Sequence, residues 1–114
     1  MKLVRDHIPE IIEEDGRTCY WRKVSDHSEH MLRLKHKIIE EADEFIENPS
    51  CEEAADMLEV IKTFININGL KFEDVVKTAK KKAQKRGSFQ GGVILGEVYE
   101  RTKSGRPDTA KKTL

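Results

Sequence analysis

Four acidic residues in the middle of the chain have the types and the spacing of a metal-binding site. Glu41 and Glu44 precede an Asn-Pro-Ser stretch, and Glu53 and Asp56 follow it. The members of each pair are three positions apart, which on a helix places both carboxylates on one face with Cβ atoms about 5–6 Å apart. Carboxylate oxygens without His or Cys suit a hard divalent cation, Mg²⁺ or Mn²⁺, better than zinc. The residues therefore indicate a divalent-cation site, provided that the chain brings the two pairs together.

Two helices joined by the Asn-Pro-Ser stretch are predicted to do this. Apolar residues recur at steps of three and four over about 26–47 and again over about 50–68. Pro49 separates the two helices, because helical backbone is disfavoured in the residue before a proline. A connection this short requires the helices to lie antiparallel.

The helix starts carry recognisable capping signals. Ser25 or Asp26 is expected to cap the first helix, and Ser50 the second. Ser50 and Glu53 form a capping-box pattern, in which the Glu53 side chain can reach back to the Ser50 N–H.

Folding the hairpin about the Asn48–Pro49 junction pairs Glu44 with Glu53 and Glu41 with Asp56. The flanking residues are apolar, so the four carboxylates are expected partly inside the seam between the helices. There they cannot all ionise without strong repulsion. A divalent cation removes the repulsion and leaves coordination positions for phosphate oxygens.

Acid-rich helices are most often only solvated surfaces, and this is the expectation for Asp43, Glu47 and Glu52. Two mirrored pairs inside an apolar frame favour a metal site instead. Glu40 and Glu59 remain open between supporting the metal shell and orienting water.

The remaining segments predict an all-α fold with little extended structure. A short extended start leads to a helical turn around Pro9 that ends at Gly16, and a further helix is expected over 72–86, ended by Gly87. The fold class is therefore an antiparallel helical bundle. Minor extended segments are predicted near 18–24 and 93–99, in a single domain at 1–99, followed by a polar, basic and loosely ordered tail at 100–114.

Composition excludes several classes of function. The 114 residues carry a formal net charge of zero, so no overall positive field favours nucleic acid, and no apolar run approaches the roughly 20 residues of a membrane span. Cys19 and Cys51 form no ligand motif, and no secretory segment opens the chain. A cytoplasmic protein without membrane or nucleic-acid partners is expected.

Both hairpin helices carry apolar residues on more than one side, namely Ile38 and Ile39 on the first, and Leu58, Ile61 and Ile65 on the second. A bundle shared between chains would bury these side chains. A homodimer or homotetramer is therefore expected.

Three segments of the chain resemble one protein family. Glu41-Ala-Asp-Glu44 and Glu53-Ala-Ala-Asp56 are similar to the E-x-x-E…E-x-x-D signature of the MazG-like, all-α nucleoside triphosphate pyrophosphohydrolases, a group related to phosphoribosyl-ATP pyrophosphatases and dimeric dUTPases. Residues 2–9, KLVRDHIP, resemble the KLVRD-x-IP opening of one small branch, and residues 82–89, KAQKRGSF, resemble its closing segment. His7 and Ser88 depart from that branch's pattern.

The resemblance implies hydrolysis of a nucleoside triphosphate between the α and β phosphates, giving a monophosphate and pyrophosphate, in a role such as clearing non-canonical nucleotides. It implies Mg²⁺ or Mn²⁺ on the four paired acids, with Glu41 or Glu40 taking a proton from the attacking water. Lys2, Arg5, Lys82 and Arg86 are the implied phosphate-binding residues.

Alternatives to these roles stay open. Arg5 can instead pair with its neighbour Asp6, and Tyr20 and Trp21 can either stack on a base or belong to a core or interface. Lys80 and Lys81 are expected to be solubilising. A non-catalytic module of the same fold, which senses nucleotides or binds another helix, is the alternative function.

Overall fold

The computed structural model describes residues 1–101 and the backbone of 107–112. These residues form four helices and two short strands, in a mostly helical fold that confirms the predicted class. In chain order the elements are α1 (Ile8–Glu14), α2 (His27–Glu47), α3 (Cys51–Ile67), α4 (Phe72–Arg86), β1 (Val98–Arg101) and β2 (Pro107–Lys112).

The chain divides into two compact units, Met1–Thr78 and Ala79–Leu114. The first unit contains α1, α2, α3 and the start of α4. The second contains the end of α4 and the two strands. The predicted division into a domain at 1–99 and a tail at 100–114 stays a prediction.

Helices α2 and α3 form the predicted hairpin. Asp26 caps α2, and its Oδ1 accepts the Glu29 N–H at 2.8 Å. Asn48 ends α2 with a non-helical backbone before Pro49, and Ser50 Oγ then accepts the Glu53 N–H at 3.2 Å to start α3. The chain therefore reverses within three residues and packs α3 back along α2.

Only half of the capping box predicted at Ser50 forms among the described residues. The Ser50 hydroxyl accepts from Glu53, but the Glu53 side chain does not return to the Ser50 N–H, and its Oε2 is buried without a hydrogen-bond partner. At α2 the side chain of Glu29 does reach back, but Glu29 Oε1 accepts the N–H of Ser25, the residue before the N-cap Asp26, at 2.8 Å.

The C-terminal ends of α3 and α4 follow the predicted glycines. Gly69 and Gly87 have φ angles of 78° and 84°, which side chains other than glycine rarely adopt. Each glycine therefore stops its helix where the sequence indicated.

The described residues have a thin apolar core. Leu34, in α2, is the one large apolar residue among them that is fully buried. Most other apolar side chains of the hairpin are partly or largely exposed. No helix within the described part of the chain is long and apolar enough to cross a bilayer.

Neither of the segments predicted as extended, near 18–24 and 93–99, is helical. Residues 18–24 form no strand, and the extended region near 93–99 becomes regular only at β1. In the expected loose tail, β2 pairs antiparallel with β1, with Val98 opposite Lys112. The backbones of β1 and β2 therefore pair although the composition of this segment is polar. Residues 102–106 and 113–114 of the predicted tail lie outside the described residues.

A charged network at the start of α2 gives a pH prediction for stability. Arg22 donates two hydrogen bonds of 2.7 Å to the Glu29 carboxylate, and Arg33 lies 3.6 Å from the same group. The hydrogen bond from Arg22 and the Ser25 N–H lower the pKa of Glu29 far below its ordinary value. A lowered pKa stabilises the fold above the ordinary glutamate pKa, and this contribution is lost as the pH falls through the lowered value.

We therefore expect Glu29→Gln to lower Tm at neutral pH, and the difference from the wild type to shrink steadily as the pH falls below the ordinary glutamate pKa toward the lowered value. Thermal unfolding followed by circular dichroism across this range measures the difference. A constant difference at all pH values would contradict the electrostatic origin.

Candidate metal centre

Glu41 lies at the centre of a cluster of carboxylates on the facing sides of α2 and α3. It is 5% exposed, the most buried charged residue among those described. Its oxygens belong to two groups, each with carboxylate oxygens within 4.8 Å of one another. The first group is Glu40, Glu41 and Glu44, and the second is Glu41, Glu53 and Asp56. We call these five residues the acid cluster.

The predicted mirror pairing places the four acids close together through Glu41. Glu41 lies beside Asp56, its predicted partner, and also beside Glu53. Glu44 lies with the α2 acids. The charge on Glu41 raises the pKa of Glu44 above its ordinary value, and desolvation and the charge on Glu53 raise it further. The structure thus brings all four residues together, while their role as metal ligands stays a prediction.

Two oxygens of the acid cluster are buried without a hydrogen-bond partner, Glu41 Oε2 and Glu53 Oε2. Leaving an anionic oxygen buried and unpaired costs more free energy than leaving a neutral polar atom unpaired. A cation bound by the acid cluster would supply the positive charge that such unpaired oxygens lack. Because every available donor is a carboxylate oxygen, the residues fit Mg²⁺ or Mn²⁺.

Sequence reasoning missed Lys37, which is the nearest cation to Glu41. Its Nζ lies 3.0 Å from Glu41 Oε1 and 3.5 Å from Glu40 Oε2. Desolvation lowers the pKa of Lys37, but the hydrogen bond to Glu41 and the charges on Glu40 and Glu41 outweigh it, so the net shift is upward. The signal in the sequence was its position, four residues before Glu41 and three before Glu40 on the same helix face.

The N-terminal segment brings two further cations to the acid cluster. Arg5 Nη2 donates to Asp56 Oδ1 at 2.7 Å, and Lys2 Nζ lies 3.9 Å from Glu40 Oε1. Arg33 on α2 holds the start of this segment by donating to the Met1 carbonyl at 2.6 Å. Arg5 therefore pairs with Asp56 across the fold and not with its neighbour Asp6, the alternative left open by the sequence.

The other predicted residues lie outside the acid cluster. Lys82 and Arg86 are exposed on α4, in the second unit, and their role in phosphate binding stays a prediction. Tyr20 and Trp21 are 80% and 53% exposed, so neither is a core residue of this chain. The acids expected to be solvated, and Glu59, belong to neither group of the acid cluster: Asp43, Glu47, Glu52 and Glu59 are exposed.

The raised pKa of Glu44 predicts a stabilising mutation. The folded chain holds a proton on Glu44 more tightly than the unfolded chain, so ionised Glu44 costs stability at pH values above the ordinary glutamate pKa. We expect Glu44→Gln to raise Tm at neutral pH without divalent cations, by on the order of 1–2 °C. The gain in Tm disappears at acidic pH, where Glu44 is protonated in both the folded and the unfolded chain. Differential scanning calorimetry in chelator measures it, and a lower Tm for the variant would contradict the repulsion.

Comparisons with protein-family models, with curated proteins and with solved structures found no match to this chain. What the chain does is therefore inferred from the acid cluster, from the cations around it and from the motifs that contain them.

Proposed function

We propose that this protein is a metal-dependent nucleoside triphosphate pyrophosphohydrolase, which cleaves between the α and β phosphates to give a nucleoside monophosphate and pyrophosphate. The observation that carries the proposal is the burial of Glu41 at the meeting point of two carboxylate groups, with Oε2 unpartnered. The resemblance of the acidic motifs to those of MazG-like enzymes supports the choice of reaction.

Glu41, Glu44, Glu53 and Asp56 would hold the cation, Mg²⁺ or Mn²⁺. A divalent cation in such a site supplies positive charge for the phosphate oxygens and for the attacking water. Glu41 belongs to both carboxylate groups of the acid cluster. It would therefore connect the ligands on α2 with those on α3 at the proposed site.

Glu40 is the better candidate for the general base. Its side chain is 38% exposed, so water can reach it, whereas the side chain of Glu41 is 7% exposed and is bonded to Lys37. Lys37 and Lys2 both lie near the Glu40 carboxylate, with their Nζ atoms 3.5 Å and 3.9 Å from its oxygens. In this assignment Glu40 takes the proton of the attacking water.

Arg5 and Lys2 are placed to receive the negative charge of a polyphosphate. A cation that engages the Asp56 carboxylate competes with the ion pair between Asp56 and Arg5. The guanidinium fork released in this way suits bidentate contact with phosphate. Lys82 and Arg86 are four residues apart on α4, on one helix face, and their role in phosphate binding rests on the resemblance of residues 82–89 to the closing segment of the small MazG-like branch.

A screen of nucleotides tests the proposal. The full chain is incubated with canonical and damaged ribo- and deoxyribonucleoside triphosphates in Mg²⁺ and in Mn²⁺, and the products are separated by ion-exchange chromatography. We expect equal amounts of monophosphate and pyrophosphate from at least one substrate. Release of inorganic phosphate and a diphosphate would contradict cleavage at the α–β bond, and no product from any nucleotide would contradict the enzymatic function.

The alternative is a non-catalytic module of the same fold, which senses nucleotides or binds another helix. It is supported by the ion pairs that already neutralise part of the acid cluster. Isothermal calorimetry that detects nucleotide binding with Mg²⁺, in the absence of product formation, would select it.

A further inference from the structure

The guanidinium of Arg5 contacts one outer member of the acid cluster. Arg5 Nη2 donates to Asp56 Oδ1 at 2.7 Å. Asp56 shares its carboxylate group with Glu41 and Glu53. The Oε2 atoms of Glu41 and Glu53 are buried without a hydrogen-bond partner, so the guanidinium does not reach the inner part of the group. Arg5 therefore neutralises Asp56 and leaves the inner oxygens in need of positive charge.

We propose that Arg5 couples cation binding to polyphosphate binding at the acid cluster. Its guanidinium competes with a bare divalent cation for Asp56, and this competition ends when a phosphate group accepts the guanidinium instead. The acid cluster then binds a cation together with a polyphosphate more tightly than it binds the cation alone. The proposal deepens the proposed function and rests on its cation site.

The exposure of the ion pair makes this exchange of partners possible. The side chains of Arg5 and Asp56 are 57% and 43% exposed, so water screens the pair and its contribution to stability is small. Lys37, by contrast, is 17% exposed against the largely buried Glu41. A competing cation can therefore displace Arg5 from the cluster at a lower cost than Lys37.

The backbone around Arg5 is held on both sides of the side chain. Arg33 donates to the Met1 carbonyl at 2.6 Å, and the Ile8 N–H donates to the Arg5 carbonyl at 3.1 Å. Arg33 itself lies 3.6 Å from Glu29 on the same helix. Rotation of the Arg5 side chain can thus release Asp56 while the segment stays in place. Arg33 is accordingly a positioning residue for Arg5.

The loss of Arg5 is expected to have opposite effects on the two ligands. Titration with Mn²⁺ alone, followed by electron paramagnetic resonance, should show about two- to fivefold tighter binding to Arg5→Ala than to the wild type, because an exposed competitor is removed. Calorimetry with inorganic tripolyphosphate at saturating Mg²⁺ should show about tenfold weaker binding to the same variant, because a charged hydrogen bond to phosphate is lost.

Arg17→Ala is the matched control for both titrations. Arg17 also belongs to an exposed ion pair, with Asp15, in which the side chains are 68% and 67% exposed. Its removal deletes the same charge and is expected to change neither affinity. Arg5→Gln keeps most of the length of the side chain and should change both affinities in the same directions as Arg5→Ala. Circular dichroism checks that each variant keeps its helix content.

A double-mutant cycle tests the positioning role of Arg33. Arg33→Met is expected to tighten Mn²⁺ binding when Arg5 is present, and to have a smaller effect in the Arg5→Ala background. A purely structural role of Arg33 would give the same change in both backgrounds. Additive effects on Mn²⁺ affinity would therefore overturn the positioning role.

The failure of this proposal can be told apart from the failure of the proposed function. Saturable Mn²⁺ binding to the wild type that is no tighter in Arg5→Ala than in Arg17→Ala would overturn the coupling and leave the cation site standing. Tripolyphosphate binding that is equal in these two variants would also overturn it. Absence of Mn²⁺ binding to every variant would contradict both proposals. The predicted pair of opposite shifts would support the coupling even if the nucleotide screen detected no hydrolysis.

Discussion

Glu41→Gln is expected to lower pyrophosphate release by at least about a hundredfold, since even changes beyond the direct ligands of a metal commonly cost 10–100-fold. The amide preserves the shape of the side chain but removes the negative charge shared by both groups of the acid cluster. Glu41 is the one residue that belongs to both carboxylate groups, so the proposed ligands on α2 and those on α3 then no longer share a charged residue. The loss is expected in turnover at saturating substrate and Mg²⁺ concentrations.

The matched control for this change is Glu47→Gln, which removes one negative charge from an exposed position on the same helix. It is expected to leave turnover close to that of the wild type. Thermal unfolding of both variants separates a chemical defect from a folding defect. Equal activity of Glu41→Gln and the wild type would contradict the central position of Glu41.

Lys37→Met has the largest expected effect on stability. The side chains of Lys37 and Glu41 are 17% and 7% exposed, and removing one partner of such a pair leaves the other charge buried without compensation. The expected cost is about 3 kcal/mol in the absence of divalent cations. Because the pKa of Lys37 is raised in the fold, the ion pair is complete at neutral pH and is lost only as the pH rises through the raised value.

Millimolar Mg²⁺ is expected to restore part of the stability of Lys37→Met, because a bound cation replaces the charge of the ammonium group. Urea unfolding with Mg²⁺ and with chelator measures both effects. Lys77→Met, at an exposed position on α4, is the control and is expected to change little. A Lys37→Met variant as stable as the wild type in chelator would show that the ion pair does not stabilise Glu41.

The helices could be predicted closely from the sequence because each has local signals at its ends. Asp26 caps α2, Ser50 caps α3, and Gly69 and Gly87 follow α3 and α4. The three-residue connection then leaves only the antiparallel hairpin. The meeting of Glu41 with Asp56 follows from that geometry, so the core of the acid cluster was also predictable.

Features that depend on tertiary packing were not predicted. The sequence does not show that the N-terminal segment crosses to Asp56, because the contact joins residues 51 positions apart. It indicated a role for Glu53 in the capping box, whereas burial turns this side chain toward the other acids. Lys37 was overlooked because a lysine one turn before a glutamate is ordinary on solvated helices, and only the burial of Glu41 makes it important.

The pairing of β2 with β1 was missed for a related reason. A polar, basic composition gives no apolar alternation, and the strand is defined by backbone hydrogen bonds to β1. The exposure of Ile39 and Ile46 was also not fixed by periodicity alone, since apolar residues occupy several sides of α2.

Titration of the protein with Mn²⁺, followed by the loss of the free-ion electron paramagnetic resonance signal, tests most directly whether the acid cluster binds a divalent cation. We predict saturable binding to the wild type, competition by Mg²⁺, and unchanged binding by Glu47→Gln. Glu53→Gln, which removes the charge beside a buried unpartnered oxygen, is predicted to weaken binding at least about tenfold. Absence of saturable binding to the wild type, or equal affinity of Glu53→Gln and Glu47→Gln, would contradict a cation site between α2 and α3.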